Sequence, residues 1–305
     1  MSISNQNKAY FFAATAIFFW STVATAFKLS LEYLEPVQLV FYATIFSVLA
    51  LFFILLFQGK LKLIRRFTME DLLRCLLLAV LNPCLYYIIL LKAYDILPAQ
   101  EAMAINYSWV VMMVILSIPI LKQRISMKAF LSIIISYIGV IVIATNGNLL
   151  SLQFDNLKGV IYALITTVIW ALFWLFNTKH KNDTVVSLFL IFLFSLPFIA
   201  FAVFFSSTFV IPSMNGFIGA AYVGLFEMGI TFVVWQSALR MTSNVAKVTS
   251  LVFITPFLSL LIIQLFLREV ILTSTVVGIV LIIIGLLLQK YFTKQNTKPS
   301  YLDGS

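Results

Sequence analysis

Ten apolar segments, each close to the length of a bilayer-crossing helix, follow one another with little between them. They run near residues 9–31, 36–57, 72–94, 98–121, 127–145, 158–178, 184–206, 217–240, 244–267 and 271–291. A helix needs about 20 apolar residues to cross the hydrocarbon layer. In lipid, backbone polar groups must be satisfied within the segment that carries them, so segments of this kind are helices. Of 305 residues, 62% are hydrophobic and only 10% charged. A soluble domain carries about 25% charge, and this composition cannot supply such a surface. The connections leave no room for a sizeable soluble domain. The expected fold class is all-α integral membrane, with ten transmembrane helices. The first segment has only Lys8 ahead of it and no convincing cleavage site, so it reads as a retained helix rather than a signal peptide.

Several chemistries are excluded by what the chain lacks. Cys75 and Cys84 lie nine residues apart in one apolar segment. On a helix that is about 13 Å of rise, too far for a disulfide. The single histidine, His180, sits between Lys179 and Lys181 in a polar loop, which leaves no zinc ligand set and no histidine-based triad. No Walker loop, dinucleotide fingerprint or metalloprotease helix is present. Neither a metal nor a cofactor is expected.

The net charge of +9 is placed unevenly. With the N-terminus inside, the inner ends hold Lys8, Lys60, Lys62, Arg65, Arg66, Arg74, Lys122, Arg124, Lys128, Lys179, Lys181, Arg240, Lys247, Lys290, Lys294 and Lys298. The outer ends hold Lys28, Lys92, Lys158 and Arg268. Sixteen against four predicts both termini in the cytoplasm by the positive-inside rule. The basic residues are scattered over short connections, so no nucleic-acid partner is expected.

Sliding the second half back by about 145 residues exposes an internal repeat. Asn82-Pro83-Cys84-Leu85-Tyr86-Tyr87 then lies over Glu227-Met228-Gly229-Ile230-Thr231-Phe232. At an offset of 146, Ser132 and Gly139 fall on Gly278 and Gly285, and Lys122-Gln123 on Arg268-Glu269; at 150, Trp20 falls on Trp170. Five spans per half is an odd number, so the halves take opposite orientations: two inverted five-helix repeats. The boundaries expected are 1–146 for the first repeat, 147–292 for the second and 293–305 for a cytoplasmic tail. Inverted repeats of this kind build secondary transporters, whose sites lie near the midplane between the halves.

The five-plus-five pattern resembles the ten-helix EamA-type branch of the drug/metabolite transporter superfamily. The match is strongest at Ala238 through Ala246, followed by Pro256 and Leu267-Arg268-Glu269, which resembles that family's eighth-to-ninth helix hairpin. Ala93 through Ala102 and Leu121-Lys122-Gln123-Arg124 repeat the pattern in the first half. Asn106-Tyr107-Ser108-Trp109 is similar to a fourth-helix signature of the superfamily's aromatic amino acid exporters, which usually continue with Pro where this chain has Val110. The resemblance covers residues 9–291. It implies a multi-pass protein of the bacterial inner (plasma) membrane, with a cavity lined by helices one, three, four, six, eight and nine.

Glu227 is the strongest candidate for chemistry within the membrane. It lies about ten residues into the eighth span, and charge at that depth costs at least about 2.5–3.5 kcal/mol. Its carboxyl is expected to face protein or water, meeting a substrate amine or a coupling proton. Glu227, Thr231 and Trp235 recur every four residues, as do Asn82 and Tyr86 on the third span, which predicts two polar faces opposed across a central cavity. Pro83 removes a backbone donor and predicts a kink there. Trp20, Trp170 and Trp174 are deep enough to line a pocket, where rings stack on a flat ligand or on a cation. The exporter-like signature adds Asn106, Tyr107 and Trp109. Glu101, Lys92 and Lys247 lie nearer span ends, where side chains reach water on their own. Ser132, Ser136 and Gly139 on the fifth span and Ser274, Gly278 and Gly285 on the tenth read as close helix packing, a homodimer through helices five and ten being one use of it.

The function expected is a secondary transporter, working as an exporter of small organic metabolites, amino acids or related amine-bearing compounds, by alternating access. Proton-coupled efflux of hydrophobic cations or drugs is the alternative. A membrane-embedded lipid-modifying enzyme would need paired acids or a histidine cluster at one depth, and Glu227 has neither.

Overall fold

The computed structural model describes residues 3–121, 126–148, 154, 156–177, 182–242, 248 and 251–296. Lys122, Gln123, Arg124, Lys179, His180, Lys181, Lys247, Lys298 and the Ser243–Ala246 stretch lie outside them, as does the tail from residue 297. The elements are α1 (Ile3–Leu31), α2 (Pro36–Phe57), α3 (Met69–Ile96), α4 (Ala99–Ile120) and α5 (Met127–Ala144). The second half contributes α6 (Leu157–Asn177), α7 (Thr184–Ser206), α8 (Met214–Met241), α9 (Leu251–Leu267) and α10 (Thr273–Asn296). Among the described residues, nine helices are long and apolar enough to span a membrane, and α9 is the shorter tenth. This is an all-helical, multi-pass membrane protein.

Local chemistry fixes the helix starts. Pro36 opens α2, and the Gln38 side chain accepts from the Glu35 amide at 3.1 Å. Thr68 and Asp71 form a reciprocal cap at α3. Asp183 accepts from the Val185 and Val186 amides at 3.0 and 3.3 Å and pairs with Lys60 at 2.8 Å, tying the start of α7 to the end of α2. That pair and the two amides outweigh burial, which alone would raise the carboxyl, and hold Asp183 below the usual carboxylate range.

The packing follows the inverted repeat. The first helix of each half packs on the third and fourth of the other: α1 on α8 and α9, α6 on α3 and α4. α2 lies against α7, and α5 against α10. The last pair explains the small-residue stripes. A Cβ on Gly139 would sit 2.5 Å from the Gly278 carbonyl oxygen, and one on Gly285 would sit 2.5 Å from that of Ser132. The Ser136 hydroxyl donates to Ile282 O at 3.1 Å. The small-residue stripes of α5 and α10 therefore pack on each other within one chain.

Both central helices are interrupted at corresponding places. α3 passes through a wide turn at Val80–Leu85, where Asn82 is extended (φ −145, ψ 127) and its bond to Pro83 is cis. α8 does the same at Val223–Glu227, without proline. There Gly224 lies so close to α2 that a Cβ would stand 2.2 Å from Ala43 O, and Gly229 (φ −119, ψ −90) precedes the resumed helix.

Candidate functional site

A cavity of about 470 Å³ lies between the repeats, bordered by residues of α1, α3, α4, α6, α8, α9 and α10. Its lining includes Trp20, Trp109, Trp170, Trp174 and Trp235, which are all five tryptophans of the chain. Trp170 is the hub. Its ring lies 4.4 Å from Tyr86, 5.9 Å from Trp174, 6.1 Å from Phe232 and 6.3 Å from Trp109, centroid to centroid. Trp20 stands 5.3 Å from Trp235 and 6.2 Å from Phe232. Phe232 thus bridges the two repeat mates Trp20 and Trp170.

Glu227 is the one carboxylate among the described lining residues. Its Oε1 accepts from the Tyr87 hydroxyl at 2.9 Å, a bond between the repeats at the two interruptions. The Tyr86 hydroxyl donates to Asn106 Oδ1 at 3.3 Å, and Asn106 Nδ2 donates to Thr166 Oγ1 at 2.9 Å. Tyr107 donates to Val252 O at 2.8 Å, again across the repeats.

Glu227, Tyr86, Trp20, Asn106, Tyr107, Trp109, Trp170, Trp174 and Trp235 therefore share one cavity. Asn82 and Thr231 do not line it. Asn82 is 1% exposed with neither side-chain atom bonded among the described residues, and the Thr231 hydroxyl donates to Phe226 O. The expected faces assumed unbroken helices, but a four-residue spacing holds only while the turn angle stays near 100°. The interruptions at Val80–Leu85 and Val223–Glu227 contain Asn82 and Glu227, so neither residue continues the regular turn that carries Tyr86 or Thr231. Tyr87, Phe232, Thr255 and Ser259 were not foreseen in the site. The offset that matched Asn82 to Glu227 also matches Tyr87 to Phe232, and Gly224 and Gly229 bracketing Glu227 were the signal for the second break.

The cavity has a direction. Lining residues toward the far end of the bundle, away from the N-terminus of α1, are Phe27, Leu90, Tyr94 and Met103, all buried. Those toward the near end are Met113, Trp174, Trp235 and Lys290, all accessible. The far end is sealed by bonds between the halves. Glu269 accepts from the amides of Ala99 (2.8 Å) and Gln100 (3.2 Å) at the start of α4. Gln100 Nε2 donates to Val270 O at 2.8 Å, and its Oε1 accepts from Leu272 N (2.9 Å) and Thr275 Oγ1 (3.1 Å). Lys28 closes the same end, donating to Tyr94 O and Leu97 O at 2.6 and 2.8 Å.

The sequence profile of the EamA-like transporter family matches residues 7–145 and 157–289, one match per half. The chain belongs to the EamA-like transporter family. An uncharacterized transporter in the sor 3′ region of Acidianus ambivalens is 27% identical over 215 residues, covering 70% of this chain and 82% of that one. An uncharacterized transporter of Archaeoglobus fulgidus is 24% identical over 289 residues, covering 92% and 97%. Their names specify no substrate. A solved crystal structure shares the fold of this EamA-like chain with a TM-score of 0.66 at 17% identity, covering 96% of this chain and 99% of that one.

Proposed function

We propose that this EamA-like protein is a secondary transporter that exports small organic metabolites carrying an amine, amino acids among them, across a bacterial inner membrane. The observation that carries the reading is the gathering of every tryptophan in the chain around one carboxylate at the paired helix interruptions. Aromatic faces attract a cation, and more strongly where water is excluded. Glu227 supplies the opposite charge at the same depth. A pair of interrupted spans at matching positions of two inverted halves points to a transporter site, where irregular backbone lines a cavity. A volume near 470 Å³ suits a small molecule.

The packing supports alternating access. The cavity opens toward the near end in this conformation, and rocking one set of cross-packed helices against the other exposes it to the far end. No nucleotide-binding motif is present in the sequence, so a substrate gradient or proton exchange at Glu227 supplies the bias. Efflux of hydrophobic cations is the second reading, favoured by the same carboxylate among aromatic rings. The two differ in whether a polar, compact amine or a bulky apolar cation displaces a proton from the purified protein.

Two results are expected. In vesicles reconstituted with the protein and loaded with labelled phenethylamine, Glu227→Gln should slow exchange by about 30-fold or more, the effect of removing one partner of a buried charge pair. Unchanged exchange in a folded variant would remove Glu227 from the site. The near end is assigned to the cytoplasm with both termini, so cysteines at Asn148 and Ser207 should label from outside intact cells. Cysteines at Leu63 and Asn182 should label only after permeabilisation. Outside labelling at Asn182 would contradict the orientation.

A further inference from the structure

We propose that Thr255 and Ser259 form a second, uncharged hydrogen-bonding subsite, so that the substrate joins a cationic amine to a neutral polar group such as a hydroxyl or an amide. This rests on the amine reading of the cavity and narrows it to amines without a carboxylate, setting free amino acids aside as the weaker ligands.

Both residues line the same cavity as Glu227. They lie four apart on α9, hence on one face. Thr255 is 8% exposed and Ser259 2%, and neither hydroxyl has a hydrogen-bond partner among the described residues. Thr25, Thr44 and Ser187 also lack a partner among the described residues. Of these five hydroxyls, however, Thr255 and Ser259 are the two that line the cavity, whereas other buried helical hydroxyls return to a carbonyl one turn back. Ser21, Ser30, Ser108, Thr166 and Ser195 all do so. A buried hydroxyl left without a partner is destabilising and marks a place where something else completes the bond. Thr255 is also held in position: its carbonyl accepts from Ser21 of α1 at 3.3 Å.

Several other polar groups around the cavity are occupied. Tyr86 and Asn106 bond each other, Asn106 also bonds Thr166, and Tyr107 bonds Val252 O. Besides the indole N–H groups and the Tyr94 hydroxyl at the far end, what is left for a ligand is the second oxygen of Glu227, which carries no bond among the described residues, and these two hydroxyls. The charge balance then selects the chemistry. Lys290 is the one cationic residue among the described lining residues, and it lies about 8 Å of helical rise toward the near end from the middle of its helix. Glu227 is at the middle of α8. A substrate carboxylate bound at Thr255 and Ser259 would be a buried charge without a counter-charge, which is costly. A hydroxyl or amide would meet the same two groups without that penalty.

The tryptophans supply the assay, since all five line the cavity. The full-length protein in lipid nanodiscs is titrated with phenethylamine, L-phenylalaninol and L-phenylalanine while its fluorescence is followed. Phenylalaninol should bind about tenfold more tightly than phenethylamine, the yield of one or two added hydrogen bonds, and phenylalanine should bind most weakly. In Thr255→Val/Ser259→Ala the ratio of the first two affinities should collapse toward one, while Thr255→Ser should keep it. An unchanged ratio in the double variant, with binding still abolished by Glu227→Gln, would overturn the subsite alone. So would a double variant altered in thermal stability but not in that ratio, which would mean that the hydroxyls serve packing alone. Phenylalanine binding as tightly as phenylalaninol would overturn the claim of a neutral group. Quenching by none of the three would overturn the amine reading and the subsite with it.

Discussion

Glu269→Ala is expected to open the far end of the cavity, raising the labelling of a cysteine at Met103 by an impermeant thiol reagent on that face by about tenfold or more. The reason is the concentration of bonds between the halves at that end. The Glu269 carboxylate holds two amides at the start of α4, where a negative charge also complements the helix dipole. Charge-assisted bonds are each worth about 1.5–3 kcal/mol. A tenfold change in a conformational ratio needs only about 1.4 kcal/mol. Losing both bonds therefore exceeds the requirement, even after part of the loss is recovered by water. Gln100→Ala should act in the same direction, because that side chain spans Val270, Leu272 and Thr275. Glu269→Gln keeps one acceptor oxygen and should fall between. The measurement needs Cys75 and Cys84 replaced, and labelling of a cysteine at Met113 from the near end should decline as that at Met103 rises. Equal labelling of Met103→Cys with and without the Glu269 substitution would mean that other contacts hold the far end closed.

The ten-segment architecture was legible because it depends on composition averaged over 20 residues, and lipid leaves no other solution for such stretches. The repeat was legible for a similar reason. Trp20 and Trp170, Gly139 and Gly285, and Asn82 and Glu227 are recognisable pairs whatever the local geometry. The site was legible at the level of residue type. Tryptophans and one carboxyl in mid-membrane have few places to go except against each other.

What escaped was phase. Glu227, Thr231 and Trp235 share a face only on a regular helix, and the wide turn at Val223–Glu227 followed by Gly229 breaks that regularity. Thr231 turns instead to the Phe226 carbonyl that the break releases. Asn82 is displaced from Tyr86 in the same way. Pro83 announced a disturbance in α3, but not on which side of the helix Asn82 would emerge. No proline announces the second break. Its cause is tertiary, the approach of Gly224 to the backbone of α2 at Ala43. The far-end bonds escaped because they join α4 to the turn before α10, and a spacing of about 170 residues carries no pattern in one chain.

Trp170→Ala is the substitution expected to cost the site most, and its comparison with Trp20→Ala tests whether the ring cluster has a hub. The Trp170 ring neighbours Tyr86, Tyr87, Trp109, Phe173, Trp174 and Phe232, and the side chain is buried. Truncating a buried tryptophan costs about 3–5 kcal/mol where the surroundings cannot collapse. Four of these neighbours line the same cavity, so their loss of support reaches the ligand as well as the fold. Trp20 neighbours only Phe232 and Trp235 among the described rings and is half-buried. Two aromatic pairs at about 0.5–1.5 kcal/mol each set its expected loss near tenfold in phenethylamine affinity. For Trp170 the same arithmetic gives a loss of about 100-fold or more, together with lower thermal stability in the nanodisc. Trp170→Phe should recover part of both, since a smaller ring still meets Tyr86 and Phe232. If Trp20→Ala weakened binding as much as Trp170→Ala at equal stability, the ligand would rest on the α1 side of the cavity and the hub would be structural only.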